Sequence, residues 1–280
     1  MTEPAFWITV AELPPELDAD LLSSQLTARG IAHRIEPLGT SRALCVTRRE
    51  DIPTVLMVLR ESGWADADRP PGLAAQARAA PVVVAVLSLG LLGALLVSFA
   101  PQLVHSLTFQ DFTILASGEL QLSAPDAGFA RGEYWRLLTP ALLHFGVLHI
   151  VFNGLWIWEF GRRIEVLAGH GNFLLIVLAT ALGSNVGQYL WRPDSLFGGL
   201  SGVVYGLLGY LWIRHRLAPH PLSQLTPGIL PLMLVWLLLC LVGVVDWFIR
   251  GGVANGAHVA GLAIGIAFGA VAGCSARSRN

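Results

Sequence analysis

The chain has no lysine. All 18 of its Lys+Arg positions are arginine, and charged residues make up only 13% of its 280 residues. With a formal net charge of -1 it offers no basic surface to a phosphate backbone, so nucleic-acid binding is not expected. Cysteine is scarce as well. Cys45, Cys240 and Cys274 are odd in number, scattered and without a Cys-x-x-Cys spacing, which argues against a disulfide framework and against a zinc site. No metal or other cofactor is expected. What fills the chain instead is apolar: 54% of residues are hydrophobic. The mean hydropathy of +0.61 is too high for an ordinary soluble domain, so the solvent of most of this chain is lipid.

The first stretch is the exception. Residues 1–64 show a short apolar run at Phe6–Val10, a helical pattern over Leu17–Arg29, apolar runs at Ile31–Ile35 and Ala43–Val46, and a helix from Asp51. That order, β-α-β-β-α, predicts a small cytosolic α+β domain, with Asp51 as N-cap and Pro53 in the first turn of its last helix. It carries no cluster of His, Cys or paired carboxylates. Its expected part is regulatory, stabilising or dimerising, with a homodimer formed through this domain as the partner interaction it suggests. Residues 65–79, with Pro70-Pro71 among Ala, Asp and Arg, read as an exposed linker. No cleavable signal is expected, since the first long apolar run starts only near Ala80.

From residue 80 to 273 the apolar runs reach spanning length, about 20 residues for a hydrocarbon core about 30 Å thick. Six are expected, near Ala80–Val104, Ala141–Phe160, Phe173–Trp191, Leu200–Ile213, Ile229–Ile249 and Ala254–Gly273, followed by a cytosolic tail at 274–280. The fourth is short: about 14 residues at 1.5 Å each cover only about 21 Å, so it begins inside the membrane. Arg69, Arg78, Arg162, Arg163, Arg214, Arg216, Arg277 and Arg279 flank the spans on the side of the N-terminal domain, and Arg131, Arg136, Arg192 and Arg250 flank them opposite. The positive-inside rule then puts both termini in the cytoplasm and the start of the fourth span toward the outer side. Residues 105–136, long for a connection and rich in apolar side chains, are expected to lie in the outer interface, packed on the bundle.

Inside these runs a few polar side chains stand out: Ser201, within FGGLSGVVYGLLGY at 197–210, and His149, Asn153, Tyr205 and His258. A buried hydroxyl or imidazole in lipid must find a partner or be put to use, so such groups are candidates for a functional site. Serine among glycines in a membrane helix ordinarily means close helix packing, and His149 and Asn153 at i, i+4 could be interhelical glue. The glycines favour a site. Gly261, Gly265, Gly269 and Gly273 lie within about 60° of His258 on a helix, and Gly198, Gly202, Gly206 and Gly209 fall about 60–140° from Ser201. Facing stripes of this kind let two backbones approach closely enough to bring Ser201 to His258. Serine beside a neutral histidine is the minimum equipment for nucleophilic acyl transfer, with Tyr205 available to stack on the imidazole. His149, Asn153 and the Ser201 N–H are available as oxyanion donors. No Asp or Glu is expected at comparable depth to complete a triad.

Four stretches, RGEYWR at 131–136, LLHFGVLHIVFN at 142–153, FGGLSGVVYGLLGY at 197–210 and ANGAHVAGLAIG at 254–265, resemble the rhomboid intramembrane serine proteases, in particular the bacterial GlpG type. The resemblance runs from about Ala80 to Gly273, with an α+β domain in front. It implies a polytopic six-helix rhomboid bundle in the bacterial inner membrane, with its active site opening to the periplasmic side. It implies a serine endopeptidase with Ser201 as nucleophile and His258 as base and acid. His149, Asn153 and the Ser201 N–H would form the oxyanion hole, with Tyr205, Gly199, Gly202 and Gly261 in support. The implied substrates are transmembrane segments of membrane proteins, entering from the bilayer past the fifth helix. The region from Pro219 to Ala254 is longer than the family pattern, so Trp236 and Phe152 are matched to gate positions only loosely. His144 also resembles a family histidine, but about 140° from His149 on a helix it faces elsewhere and reads as structural. A catalytically dead relative would lack the serine or the histidine, a transporter would show intramembrane acids or paired broken helices, and a metalloprotease would need HExxH; none of these patterns is present.

Overall fold

A computed structural model describes residues 7–15, 17–38, 41–62, 72–117, 119–247 and 252–278. The chain divides after Ala79 into two compact units. Expectations that rest on Phe6, Arg69, Pro70, Pro71, Ile249, Arg250 and Arg279 fall outside the described residues.

The first unit runs β1 (Ile8–Leu13), α1 (Ala19–Ala28), β2 (His33–Leu38), β3 (Ser41–Val46), α2 (Ile52–Glu61) and α3 (Leu73–Ala79). Its sheet is antiparallel in the order β1-β3-β2. The central strand buries Ala43, Leu44, Cys45 and Val46. Leu22 and Leu26, one turn apart on α1, and Val55, Val58 and Leu59 on α2 close the core with Leu13 and Leu44. The helix starts differ from expectation. Asp18 caps α1, its carboxylate accepting from the N–H groups of Asp20 and Leu21 at 3.1 and 3.0 Å. Asp51 already has helical torsions and makes no capping bond, because a 3₁₀ turn over Arg49–Asp51 leads straight into α2. Residues 73–79, expected as linker, form the alanine-rich α3, which buries nothing.

The second unit holds α4 (Pro81–Phe99), α5 (Pro101–Val104), the hairpin β4 (Phe112–Ile114) and β5 (Leu120–Leu122), and α6 (Asp126–Ala130). After two 3₁₀ turns come α7 (Val147–Ala168), α8 (His170–Trp191), α9 (Ser201–Leu217), α10 (Ile229–Leu241) and α11 (Asn255–Arg277). Three of these, α4, α8 and α11, are long and apolar enough to cross a membrane. Helix α7 has the length, but its second half carries Glu159, Arg162, Arg163 and Glu165. Helices α9 and α10 have 17 and 13 residues. Three runs are shorter than expected, the first because the chain turns out of helix at Ala100, before Pro101, and ends α4 at Phe99. Pro140 and the extended Gly146 hold residues 139–146 out of α7, and α10 stops at Leu241, before the left-handed Gly243.

Helix α9 organises the bundle. Every residue from Gly202 to Leu211 is buried, which a helix apolar on all faces requires, and α7, α8 and α11 surround it. The outer helices turn leucines outward, among them Leu91, Leu92, Leu155 and Leu175, a surface suited to lipid rather than water. Residues 105–136 pack on this bundle through Phe109, which stacks on Tyr189 and contacts Phe197. Their fixed point is Arg136, only 2% exposed. It donates to Glu133 at 2.6 Å, to Asp111 at 2.6 Å, and to the carbonyls of His105 and Thr108 at 2.9 Å each. Arg131 adds bonds to the same two carboxylates, and with Arg136 it holds the Glu133 carboxyl down to about 2.

Candidate active site

The site forms where α9 begins. Phe197–Leu200 are not helical, and the donors of this turn are taken up by neighbours. Gly199 N–H donates to the Pro140 carbonyl at 2.9 Å, and Leu200 N–H donates to His144 Nε2 at 3.4 Å. Gly199 has φ +115°, and a Cβ there would lie 2.6 Å from the His149 ring, so no other residue fits. Ser201 follows as the first residue of α9, where the N–H groups have no intrahelical acceptor.

Ser201 Oγ and His258 Nε2 are 2.8 Å apart, although 57 residues separate them. The seam between α9 and α11 makes this contact. A Cβ at Gly261 would overlap the Gly202 carbonyl, and one at Gly265 would overlap the Gly206 carbonyl. Backbone lies on backbone, and the helices come close enough for a serine and a histidine to touch. The expected stripe is one residue too long, however. Gly198 precedes the helix and packs on Pro140 and Leu143, away from α11.

His258 is 5% exposed. The Tyr205 ring lies 4.8 Å from its ring, centre to centre, tilted by 37°, and the Tyr205 hydroxyl donates to the Met233 carbonyl on α10 at 3.1 Å. When the serine donates to Nε2, the imidazole's one N–H is on Nδ1, which has no bonding partner among the described residues. His149 and Asn153 stand one turn apart on α7, beside Gly199. The buried Asn153 Nδ2 has no partner among the described residues either and lies 3.5 Å from the Cβ position at Gly199. A hydroxyl that can pass its proton to an imidazole, next to unspent amide and imidazole donors, is equipped for acyl transfer.

Among the neighbours, His144 was misplaced by the sequence reading and those on α8 escaped it. His144 lies before α7, so the helical angle used to turn it away does not apply. Its ring is 5.0 Å from that of His149, and its Nδ1 donates to the Leu142 carbonyl at 2.9 Å. Helix α8 presents a buried polar stripe, Thr180, Ser184 and Gln188, with Asn185 beside it. Gln188 Oε1 accepts from the Ala257 N–H at 3.2 Å, next to His258, and Ser184 Oγ lies against Gly202 and Gly261. The signal was available, since these side chains interrupt an apolar run as the others do. One acid is buried after all: Glu165 is 1% exposed. It sits twelve residues, about 18 Å, beyond Asn153 on α7. There it accepts from the N–H groups of Val82 and Val83 at 2.9 and 2.8 Å, capping α4 and not serving His258. Trp236 and Phe152 are both exposed on their helices.

A bundle of apolar helices that turn leucine outward is that of a polytopic helical membrane protein. The family model of the Rhomboid domain matches residues 131–274, just over half of the chain, and takes in every residue of the site. The chain belongs to the rhomboid family, the intramembrane serine proteases that act on transmembrane substrates in the bilayer.

Proposed function

We propose that this chain is a serine endopeptidase that cleaves transmembrane segments with Ser201 as nucleophile and His258 as its base and acid. The observation that carries the proposal is the 2.8 Å bond between Ser201 Oγ and His258 Nε2. His258 takes the hydroxyl proton as Oγ attacks the scissile carbonyl, then gives it to the leaving amine as the C–N bond breaks. Water then attacks the acyl-enzyme, with His258 again as base, and releases Ser201. His149, Asn153 and the Ser201 N–H hold the oxyanion, each donor worth about 2.7–4 kcal/mol. The unspent Asn153 amide supports this role. Tyr205 holds the imidazole from its ring face, while Gly199, Gly202 and Gly261 make room for the contacts.

Six crossings, both termini in the cytoplasm of a bacterium and a site opening to the periplasmic side of the inner membrane agree with the arginine distribution and the family resemblance. The first unit then lies in the cytosol, with a regulatory, stabilising or dimerising part. Substrate enters laterally past α10, with Trp236 on α10 and Phe152 on α7 both facing outward. The test is cleavage of a single-pass substrate in proteoliposomes: wild type is expected to cut within the bilayer, and Ser201→Ala is expected not to. Full cleavage by Ser201→Ala would sink the reading.

A further inference from the structure

Helix α10 is held by one narrow face. It buries Met233, Leu237 and Cys240, at i, i+4 and i+7, and turns Leu232, Val235, Trp236 and Leu238 outward. Along that buried stripe two side chains reach across to its backbone. The Tyr205 hydroxyl donates to the Met233 carbonyl at 3.1 Å, and Asn255 Nδ2 donates to the Cys240 carbonyl at 3.0 Å. Cys240 is in the last turn of α10, where its carbonyl also accepts from the Gly243 N–H at 3.1 Å, so the Asn255 bond adds a side-chain donor from α11 to the capped end of the helix.

Both donors also bracket His258. The Tyr205 ring packs on the imidazole, and Asn255 opens α11 one turn before His258, on the same face. Among the described residues Asn255 Oδ1 is buried without a partner, as is His258 Nδ1, an acceptor and a donor on one helix face. We infer that Asn255 is a positioning residue that ties α10 to the helix carrying His258, so that the seat of α10 and the orientation of the Ser201–His258 pair are set together. This rests on the reading of that pair as the reactive groups. Moving α10 outward breaks the Asn255 and Tyr205 bonds together, so a segment that displaces α10 also acts on the base.

Cys240 supplies the probe, because its thiol is fully buried on the tied face. In full-length protein carrying Cys45→Ser and Cys274→Ser, Asn255→Ala is expected to react with a maleimide at Cys240 about tenfold faster, as one hydrogen bond fewer holds the helix. The same variant is expected to label at Ser201 with a fluorophosphonate about tenfold more slowly, with a displaced pH profile. Asn255→Gln keeps an amide donor and should recover most of both effects. Asn255→Asp keeps the shape without the donor and should behave as the alanine variant does, which covers the case in which the alanine variant does not fold. Faster thiol labelling with an unchanged fluorophosphonate rate and pH profile would overturn the proposal, reducing the bond to a structural fastener. No change in either would overturn it as well. A wild-type protein that takes no fluorophosphonate defeats the protease reading, and the proposal with it. The thiol rates then still report whether the tie exists, which separates the two failures.

Discussion

Ser201 and His258 meet because Gly202 and Gly261 do. The hydroxyl and the imidazole are 2.8 Å apart, and directly beneath them a side chain at Gly261 would overlap the Gly202 carbonyl. The backbone contact and the side-chain contact are one arrangement, since α9 and α11 can hold the pair only while nothing stands between them.

Gly261→Ala should therefore damage both stability and chemistry. Overpacking of this kind costs about 1–3 kcal/mol, and any relief moves α11 away from Ser201. Thermal unfolding in detergent should show a lowered Tm, and fluorophosphonate labelling of the surviving folded protein should be slower. An unchanged labelling rate would mean that the seam does not set the pair.

Asn153→Ala removes a donor that is buried and unspent in the resting protein. An oxyanion donor acts in the transition state, so kcat should fall by about 10²–10³ with little change in KM. Steady-state cleavage of a transmembrane substrate separates this from a binding defect, in which KM would rise instead.

Arg136 makes bonds to two carboxylates and two carbonyls from a buried position. Arg136→Ala is expected to destabilise the second unit by about 3–5 kcal/mol, because its partners lose a buried cation. Arg136→Lys should recover only part of this, since one ammonium cannot reproduce the planar fork. Chemical unfolding of the purified protein checks both.

The same cluster predicts an acid sensitivity. Bonds from Arg131 first, and from Arg136, hold the Glu133 carboxyl down to about 2. A depressed folded-state value contributes stability above the unfolded value, about 4.3, that is lost as pH falls through the folded one. Between pH of about 4 and about 2 the Tm of the wild type should drop more steeply than that of Glu133→Gln. Parallel curves would remove Glu133 from the explanation.

The Ser201–His258 contact was legible in the sequence because both are polar groups in apolar runs, with glycine at helical spacing around each. What was missed has physical reasons. Thr180, Ser184, Asn185 and Gln188 are diluted by the leucines of α8, although its mean hydropathy of 1.5, against 2.7 for α4, carries their trace. His144 was set on a helix that starts only at Val147, because Pro140 and Gly146 break a run that hydropathy alone reads as continuous. Glu165 was not anticipated as a buried acid, since its need comes from the N–H groups of Val82 and Val83, more than eighty positions earlier. Periodicity reports which face is apolar, and only the fold reports what that face meets.

The most direct test of the Ser201–His258 pair is the rate of fluorophosphonate labelling in wild type, Ser201→Ala, His258→Ala and the double variant. Wild type should label at Ser201, and the three variants should be equally silent, since two groups that act as one unit do not lose activity additively. Undiminished labelling in His258→Ala would contradict the pairing on which the proposed mechanism stands.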